Sequence, residues 1–401
     1  MSATDIVLAF SGGLDTSYCV VWLKEQGFNV HTYYVDTAGP GAAEASAEAV
    51  EARALELGAT THRSIDASDR LWEEIVTPLV AGGEWRQGRY PLLCSDRYLI
   101  VKIGVEMMRE IGAEVVGHGC TGMGNDQVRF DRSLRALGAQ RIVAPIRAVP
   151  RNAGNVRAYE QKYLEQHGFS VPAKQKSYTI NQNLLGATFS GGEIDKWERP
   201  GDGARSLTRA RAEWPSEPHR RTVRFEKGRA VELDGGATGA EILAELNAAF
   251  GAYGVGYGTY TGDTTVGLKG RIVFEAPGLI ALEAAHRALE HAVFTAAQND
   301  FKPVAARKWA DLAYDGGYFD PLREQLEDFI MSTQERVTGE VVLETSGGVV
   351  DAVEVRSDNV LQRPGATYAQ AADWTAEEAE GFIKLAGQSA ALWAIAGKSG
   401  S

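Results

Sequence analysis

The chain has 401 residues, of which 44% are hydrophobic and 23% charged, a composition typical of a globular protein with two or three domains. Its formal net charge of −12 argues against broad binding of nucleic acid or anionic membranes, because both depend on lysine and arginine contacts with phosphates. Three scattered cysteines are too few for a disulfide framework or a zinc site, and the sequence lacks a signal-peptide pattern and any apolar run of ~18 residues, so we expect a cytoplasmic protein without membrane spans.

Short apolar strands alternate with amphipathic helices along residues 1–168. The predicted strands are residues 5–10, 29–36, 113–119 and 141–145. The predicted helices are residues 17–27, 42–58 and 97–112. This alternation predicts an α/β domain with a parallel sheet and right-handed crossovers, in which ligands bind at the carboxyl ends of the strands.

The pattern changes after about residue 170, where α+β character begins. The predicted hairpins are residues 222–233 and 340–357, and the predicted helices are residues 239–254, 278–298 and 321–337. An amphipathic helix is predicted at residues 373–397. We therefore expect a first domain at 1–168, a second at 169–368, and a C-terminal helix within 369–401 that packs on another subunit or, alternatively, on its own chain.

The segment AFSGGLDTS, residues 9–17, connects the first predicted strand to the first predicted helix. A glycine-rich turn there directs backbone N–H groups and a helix N-terminus toward one point, which favours an anion, and Ser11, Thr16 and Ser17 add hydroxyl groups. Asp15 would repel a phosphate unless Mg²⁺ lay between them, so a purely structural turn is the weaker interpretation. The Walker A lysine and the G-x-G-x-x-G fingerprint are both absent from this segment, which favours an enzyme that releases pyrophosphate over one that transfers a γ-phosphate.

A second motif, HGCTGMGNDQVRFD, occupies residues 118–131. If a helix begins near Asn125, then Asn125 and Arg129 share one face at i and i+4. Arg129 could bind a carboxylate through two hydrogen bonds, and Asp126 could accept one from an ammonium group, so the three would recognise an amino-acid head group. A capped helix with a solvated arginine is the alternative.

Other reactive side chains near these motifs have plainer interpretations. His118 is a candidate general base, although a structural hydrogen bond is the favoured interpretation. Cys94 and Cys120 would suit a sulfur-carrying enzyme of tRNA modification, but small buried residues in tight loops explain them better, and the acidic charge agrees.

The first motif resembles the S-G-G-x-D-[ST] loop of the PP-loop ATP pyrophosphatase superfamily. The second resembles the H-G-[AC]-T-G-K-G-N-D-Q-V-R-F-[ED] signature of the argininosuccinate synthase family. Further similarities to that family are found at residues 89–100, 177–195, 266–278 and 377–385. The resemblance spans nearly the whole chain, and its two strongest motifs are specific.

This resemblance implies an adenine nucleotide alpha hydrolase-like nucleotide-binding domain at 1–168, a synthetase and multimerisation domain at 169–368, and a homotetramer with contacts through 369–401. The implied activity belongs to arginine biosynthesis. Citrulline would be adenylated by ATP with loss of pyrophosphate, and aspartate would then displace AMP to give argininosuccinate. ATP as co-substrate and Mg²⁺ are implied, with small-molecule substrates, no nucleic acid and no membrane as partners.

The resemblance also assigns residues by position. The ATP-binding residues it implies are Ala9, Phe10, Ser11, Gly12, Gly13, Leu14, Asp15, Thr16, Ser17, Val35 and Gly119, with Asp15 on Mg²⁺. The aspartate site would comprise Thr121, Asn125 and Asp126. The citrulline site would comprise Tyr90, Ser95, Asn125, Arg129, Thr179, Thr188 and Asp263. The catalytic residues would be Asp15, Ser11, Arg129 and Asp126.

Four positions depart from the family pattern. Met123 replaces a lysine beside the phosphates, and Ser190 stands where a glutamate is common. Gly262 replaces a glutamate that contacts citrulline, for which Asp263 could substitute, and Phe274 replaces a tyrosine. Because lost hydrogen-bonding groups change selectivity, the alternatives are another PP-loop enzyme that adenylates a modified citrulline or a tRNA base, and a silent homologue, which the intact first motif disfavours.

Overall fold

Five parallel strands form a sheet near the N-terminus of the computed structural model, which describes residues 4–39, 46–150, 154–171, 178–363, 365, 370–371 and 373–396. These strands are β1 (Thr4–Ala9), β2 (Phe28–Asp36), β3 (Thr61–Asp66), β4 (Val115–Gly117) and β5 (Arg141–Val143). The sheet order is β3–β2–β1–β4–β5, so β2 and β3 lie on one side of β1 and β4 and β5 lie on the other. The switch point therefore falls between β1 and β4, and a crevice opens at their carboxyl ends.

Seven helices accompany this sheet within the described residues: α1 (Leu14–Glu25), α2 (Ala47–Glu56), α3 (Ser68–Leu71), α4 (Thr77–Gly82), α5 (Asp96–Ile111), α6 (Asn125–Ala136) and α7 (Val156–Gln166). The central strand β1 buries Ile6, Val7 and Leu8 completely, as expected for a strand covered by helices on both faces. The predicted α/β architecture is confirmed. Residues 42–45 of the predicted second helix lie outside the described residues.

Four elements of this region were not predicted: β3, the short helices α3 and α4, and α7. Strand β3 has the sequence THRSID, with no residue fully buried and no apolar run, because it lies at the edge of the sheet. Helix α7 buries only Glu160 and Leu164, so its sequence lacks a continuous apolar stripe.

The rest of the chain up to Asn359 contains two antiparallel sheets. Their strands are β6 (Thr179–Asn183), β7 (Gly186–Ser190), β8 (His219–Glu226), β9 (Arg229–Leu233), β10 (Tyr257–Asp263), β11 (Lys269–Glu275), β12 (Gly339–Gly347) and β13 (Val349–Arg356). One sheet has the order β10–β11–β7–β6 and the other β13–β12–β8–β9. The predicted hairpins are confirmed as β8–β9 and β12–β13, whereas the first of these sheets was not predicted.

The helices of this part are α8 (Gly192–Asp195), α9 (Ala240–Gly251), α10 (Pro277–Val293), α11 (Ala296–Tyr314) and α12 (Pro321–Ser332). The prediction of a single helix over 278–298 was wrong. Helix α10 ends at Val293, because the Thr295 side chain and Gln298 form a capping box that begins α11.

Residues from Val360 onward form a second compact unit. It contains α13 (Ala376–Ala386) and α14 (Gln388–Ala396), so the single predicted helix is divided at Gly387. Large apolar side chains of both helices, including Phe382 and Trp393, are exposed. None of the helices in the described ranges has the length and apolar character needed to cross a membrane.

A buried carboxyl group on α10 links stability to pH. Glu283 accepts a hydrogen bond from Trp85 Nε1 at 2.6 Å, while its Oε1 has no hydrogen-bond partner. Burial raises the pKa of Glu283 from 4.5 to about 8, although the Trp85 hydrogen bond and nearby cations oppose the shift. The folded chain therefore keeps the Glu283 proton at pH values at which the unfolded chain, with a pKa of 4.5, has lost it. The contribution of Glu283 to the free energy of unfolding consequently falls as the pH rises from 4.5 toward 8.

We therefore expect Glu283→Gln to reduce the pH dependence of stability. Between pH 5 and 8, the wild-type free energy of unfolding should fall relative to that of the variant by roughly 2–4 kcal/mol. Urea unfolding at pH 5, 6.5 and 8 measures this difference. Parallel pH profiles for the two proteins would contradict a protonated Glu283.

Candidate active site

The first motif forms the turn between β1 and α1. Gly12 has φ +75°, a left-handed conformation that favours glycine, and Gly13 is the N-cap of α1. The Ser11 and Thr16 hydroxyl oxygens lie 3.2 Å apart, and the Ser11 N–H donates to Thr16 Oγ1 at 3.3 Å. Since no side chain caps α1, its first N–H groups are available to an anion.

The second motif lies beside the first because β4 pairs directly with β1. A Cβ atom on Gly119 would stand only 3.1 Å from Thr16 Cγ2. Glycine at this position therefore lets the second motif lie against the first turn of α1. At Gly122, by contrast, the nearest atom to such a Cβ is Arg147 Cγ at 4.0 Å.

Helix α6 begins at Asn125, as predicted, so Asn125 and Arg129 share one face. Arg129 is only 4% exposed. Its NH1 lies 2.7 Å from Asp126 Oδ1, its Nε donates to the Tyr314 carbonyl oxygen at 3.1 Å, and its guanidinium lies 4.9 Å from the Tyr314 ring centre. Within the described part of the chain, these contacts leave NH2 without a hydrogen-bond partner.

Asp126 joins two arginines. Its second oxygen lies 3.3 Å from Arg97 Nε, and Arg97 also binds Asp96 at 2.7 Å. Burial opposes ionisation of Asp126, but Arg97 and Arg129 together hold its pKa at about 2. Asp126 is therefore an anion at neutral pH, and a ligand's ammonium group would be its third cationic partner.

A cavity of about 480 Å³ opens beside both motifs. Its opposite wall is one face of the β6–β7 hairpin, where Thr179 pairs with Ser190 and Asn181 pairs with Thr188. Because side chains alternate along a strand, these hydroxyl and amide groups face the cavity together. The predicted site residues that line the cavity are Asp15, Tyr90, Gly119, Thr121, Asn125, Asp126, Arg129, Thr179 and Thr188.

Other predicted residues lie outside the wall of this cavity. Ser95 is fully buried, and its hydroxyl donates to the Leu92 carbonyl oxygen at 2.8 Å. Asp263 accepts a hydrogen bond from Gln87 Nε2 at 2.6 Å and forms an ion pair with Lys269. Val35 is buried in β2, and of the first motif only Asp15 lines the cavity.

The structure shows the environment of three of the four residues that depart from the family pattern. A Cβ on Gly262 would stand 2.4 Å from both Gln87 Oε1 and the Tyr260 hydroxyl, so a glutamate there would require both side chains to move. Phe274 is buried with its ring edge-on to Tyr90 at 6.2 Å. Met123 is 84% exposed.

The structural interpretations of His118 and the cysteines are supported by their contacts. His118 Nδ1 accepts from the Cys120 N–H at 3.2 Å, and Nε2 lies 2.8 Å from Asp131 Oδ1, so both ring nitrogens are engaged. Burial raises the pKa of all three cysteine thiols. The thiolate form that sulfur chemistry needs is thus disfavoured.

Sequence reasoning missed two side chains of α7 that line the cavity, Arg157 and Glu160. Glu160 is fully buried, and neither of its carboxyl oxygens has a hydrogen-bond partner. Burial, together with the adjacent Asp15, raises the pKa of Glu160 to about 8, while Arg157 opposes the shift. The local sequence AYEQKY reads as a solvated helix face, so it carries no signal for either residue.

Comparison with known proteins agrees with this geometry. Residues 5–170 match the family model for the arginosuccinate synthase N-terminal HUP domain, and residues 178–393 match that for the arginosuccinate synthase C-terminal domain. The argininosuccinate synthase of Xanthomonas campestris pv. campestris is 59% identical over 395 residues, covering 98% of this chain and 99% of the relative. That of Xylella fastidiosa is 56% identical over 400 residues, covering 100% and 99%.

Among solved structures, the NH3-dependent NAD synthetase from Campylobacter jejuni aligns with 43% of this chain and 71% of its own, at 13% identity. Its TM-score of 0.28 is too low to support a conclusion. The matches to the two family models and to the full-length relatives are sufficient to assign the family. The chain belongs to the argininosuccinate synthase family.

Proposed function

We propose that this protein converts ATP, L-citrulline and L-aspartate into AMP, pyrophosphate and argininosuccinate, in arginine biosynthesis. One observation carries the proposal. The uncapped first turn of α1 and the Asn125–Arg129 face of α6 meet at the switch point of the sheet and border a single cavity. An anion site and an amino-acid site therefore lie next to each other, as an adenylating ligase requires.

In the first step, the ureido oxygen of citrulline attacks the α-phosphorus of ATP, and the bond to pyrophosphate breaks. The N–H groups of α1 and the Ser11 and Thr16 hydroxyls would hold the phosphates and stabilise the leaving charge. The uncharged polar face that carries Thr179 and Thr188 suits the neutral ureido group. Catalysis is then mainly a matter of positioning the oxygen in line with the phosphorus.

In the second step, the amine of aspartate attacks the ureido carbon, loses a proton, and AMP departs with the former ureido oxygen. The anionic Asp126 would accept a hydrogen bond from the amine of aspartate, while Arg129 would donate from NH2 to the carboxylate of citrulline. Thr121 and Asn125 line the same part of the cavity and would complete the aspartate site. No covalent bond to the protein is needed.

The oxygen ligands that Mg²⁺ prefers are available beside the first motif. Asp15 lines the cavity next to Glu160, whose two oxygens have no hydrogen-bond partner, so the donor set fits a hard cation. We propose that Asp15 holds Mg²⁺. When bound, Mg²⁺ would neutralise charge on the phosphate oxygens. Assembly as a homotetramer through 369–401 and a cytoplasmic location remain predictions.

A turnover assay in which ATP, citrulline and aspartate are each omitted in turn tests the function. Pyrophosphate should appear only when ATP and citrulline are both present, and argininosuccinate only with all three. Equal pyrophosphate release without citrulline, or release that depends on tRNA instead, would refute the assignment and favour a PP-loop enzyme with another acceptor.

The contact between Gly119 and Thr16 gives a further prediction. Gly119→Ala should displace Thr16 and with it the hydrogen bond to the Ser11 N–H, so we expect KM for ATP to rise roughly tenfold, about 1.4 kcal/mol of binding. Gly122→Ala is the matched control, because its new methyl group meets nothing closer than 4.0 Å. Steady-state kinetics with varied ATP measure both variants. Equal KM values for the two would contradict the proposed role of this contact.

A further inference from the structure

The carboxyl group of Glu160 on α7 is buried, a position that is energetically unfavourable for a charged group. Its side chain is 0% exposed, and neither Oε1 nor Oε2 receives a hydrogen bond. Burying a carboxylate without donors costs several kcal/mol, and natural proteins keep such groups where another partner satisfies them. The Glu160 carboxyl therefore calls for a partner that is neither a side chain nor a backbone N–H of the described residues.

The neighbours of Glu160 indicate the chemistry of that partner. Asp15 and Glu160 line the same cavity, and the charge of Asp15 contributes to the raised pKa of Glu160. Arg157, one turn earlier on α7, is a cation that opposes this shift, but its guanidinium donates to Thr179 Oγ1 at 3.4 Å. Among the described residues, Arg157 forms no ion pair with Glu160 within 4 Å. Two carboxyl groups therefore line one cavity, and no residue in the described part of the chain donates a hydrogen bond to Glu160.

A small divalent cation fits this arrangement. Mg²⁺ prefers oxygen ligands, and Asp15 and Glu160 contribute two carboxyl groups to one cavity. Mg²⁺ typically takes one or two carboxylates together with substrate phosphates. Asp15 lies in the first turn of α1, whose N–H groups would hold those phosphates.

We propose that Glu160 is, together with Asp15, a ligand of the divalent cation that accompanies ATP, an inference that rests on the proposed function. Glu160 lies outside both signature motifs and reaches the site only because α7 packs against α1. The other explanation of the carboxyl pair is a proton shared between Glu160 and Asp15, with no part in metal binding. The two explanations differ in what an isosteric amide at position 160 does.

Mn²⁺ binding followed by electron paramagnetic resonance tests the proposal. The full-length protein would be titrated with Mn²⁺ in the presence of a non-hydrolysable ATP analogue, with the analogue alone as the baseline. We expect Glu160→Gln to weaken Mn²⁺ binding to the protein–nucleotide complex at least tenfold. Glu165→Gln is the control, because Glu165 is exposed on the same helix and its carboxylate accepts a hydrogen bond from Gln161.

A second readout is the Mg²⁺ dependence of pyrophosphate release. For Glu160→Gln, the Mg²⁺ concentration giving half-maximal rate should rise at least tenfold, while the rate at saturating Mg²⁺ recovers toward the wild-type value. Glu160→Asp, which keeps a carboxylate, should fall between the two proteins and serves as the test variant if the amide form fails to fold.

Unchanged Mn²⁺ affinity in Glu160→Gln, with the fold retained, would overturn the proposal in favour of the shared proton. Such a result would leave the proposed function intact, since the wild-type omission assay is independent of position 160. Conversely, a wild-type protein that binds Mn²⁺ through Glu160 but releases no pyrophosphate with citrulline would refute the function and not the metal ligand.

Discussion

Asp15→Ala is expected to lower the rate of pyrophosphate release by roughly a thousandfold, the upper range for loss of one preorganised charge-stabilising group. Asp15 is the one residue of the first motif that lines the cavity, and we propose that it places Mg²⁺ against the phosphates. Without it, the negative charge that develops on pyrophosphate would lose its nearest cation. The rate with saturating ATP, citrulline and Mg²⁺ is the quantity to measure.

The same variant should remain folded. Removing Asp15 forfeits a favourable interaction with the N-terminus of α1, roughly 0.5 kcal/mol, but it also removes the negative charge that raises the pKa of Glu160. We therefore expect Tm to change by no more than about 2 °C. Glu48→Ala, which removes an acidic residue from the first turn of α2 instead, is the matched control and should keep full activity. A near-normal rate in Asp15→Ala would show that Asp15 does not organise the metal or the phosphates.

Arg129→Lys should lower kcat/KM for citrulline roughly a hundredfold, equivalent to about 2.7 kcal/mol of transition-state stabilisation. The guanidinium of Arg129 binds Asp126 and the Tyr314 carbonyl oxygen and stacks on the Tyr314 ring, and a lysine cannot make these contacts together. The substrate-facing NH2 would also be lost. Because Asp126 keeps Arg97 as a partner, we expect only about 1–2 kcal/mol of lost stability, less than for breaking a fully buried pair.

Arg132→Lys on the same helix separates the two effects. Arg132 donates to the Asp315 carbonyl oxygen at 2.6 Å and does not line the cavity, so its substitution should leave kcat/KM within about twofold of the wild-type value. Kinetics and urea unfolding on both variants supply the comparison. If Arg129→Lys and Arg132→Lys behaved alike, Arg129 would be a structural residue and the proposed citrulline contact would be wrong.

Much of the fold was predictable because the sequence pattern within an element indicates its secondary structure. The apolar strands β1 and β2, the glycine-ended helices α1 and α5, and the hairpins β8–β9 and β12–β13 each have a periodicity or turn signal within the element itself. The edge strand β3 and helix α7 were missed, because little of either is buried and their sequences resemble solvated segments. The break between α10 and α11 was missed because the capping role of Thr295 and Gln298 is apparent only when the turn between the two helices is known.

The active site also has one part that the sequence predicted and another part that it did not. The two motifs predicted the anion-binding turn, the start of α6 and the shared face of Asn125 and Arg129, since a strand–glycine–helix sequence has few conformations open to it. The hairpin wall of the cavity was predicted only at Thr179 and Thr188. Which residues stand outside that wall could not be predicted, because it depends on how Ser95 and Asp263 bond to their own neighbours.

The sequence by itself determined an anion site followed by an amino-acid site, since glycines, hydroxyls and charges at fixed spacing indicate them. The reaction itself was implied by the resemblance to the argininosuccinate synthase family. Only the tertiary structure decided which charges meet. Asp126 is held between two arginines from different helices, and Glu160 lines the same cavity as Asp15 although its helix comes much later in the chain. Electrostatic interactions depend on separation in space and on burial, neither of which sequence spacing records across such distances.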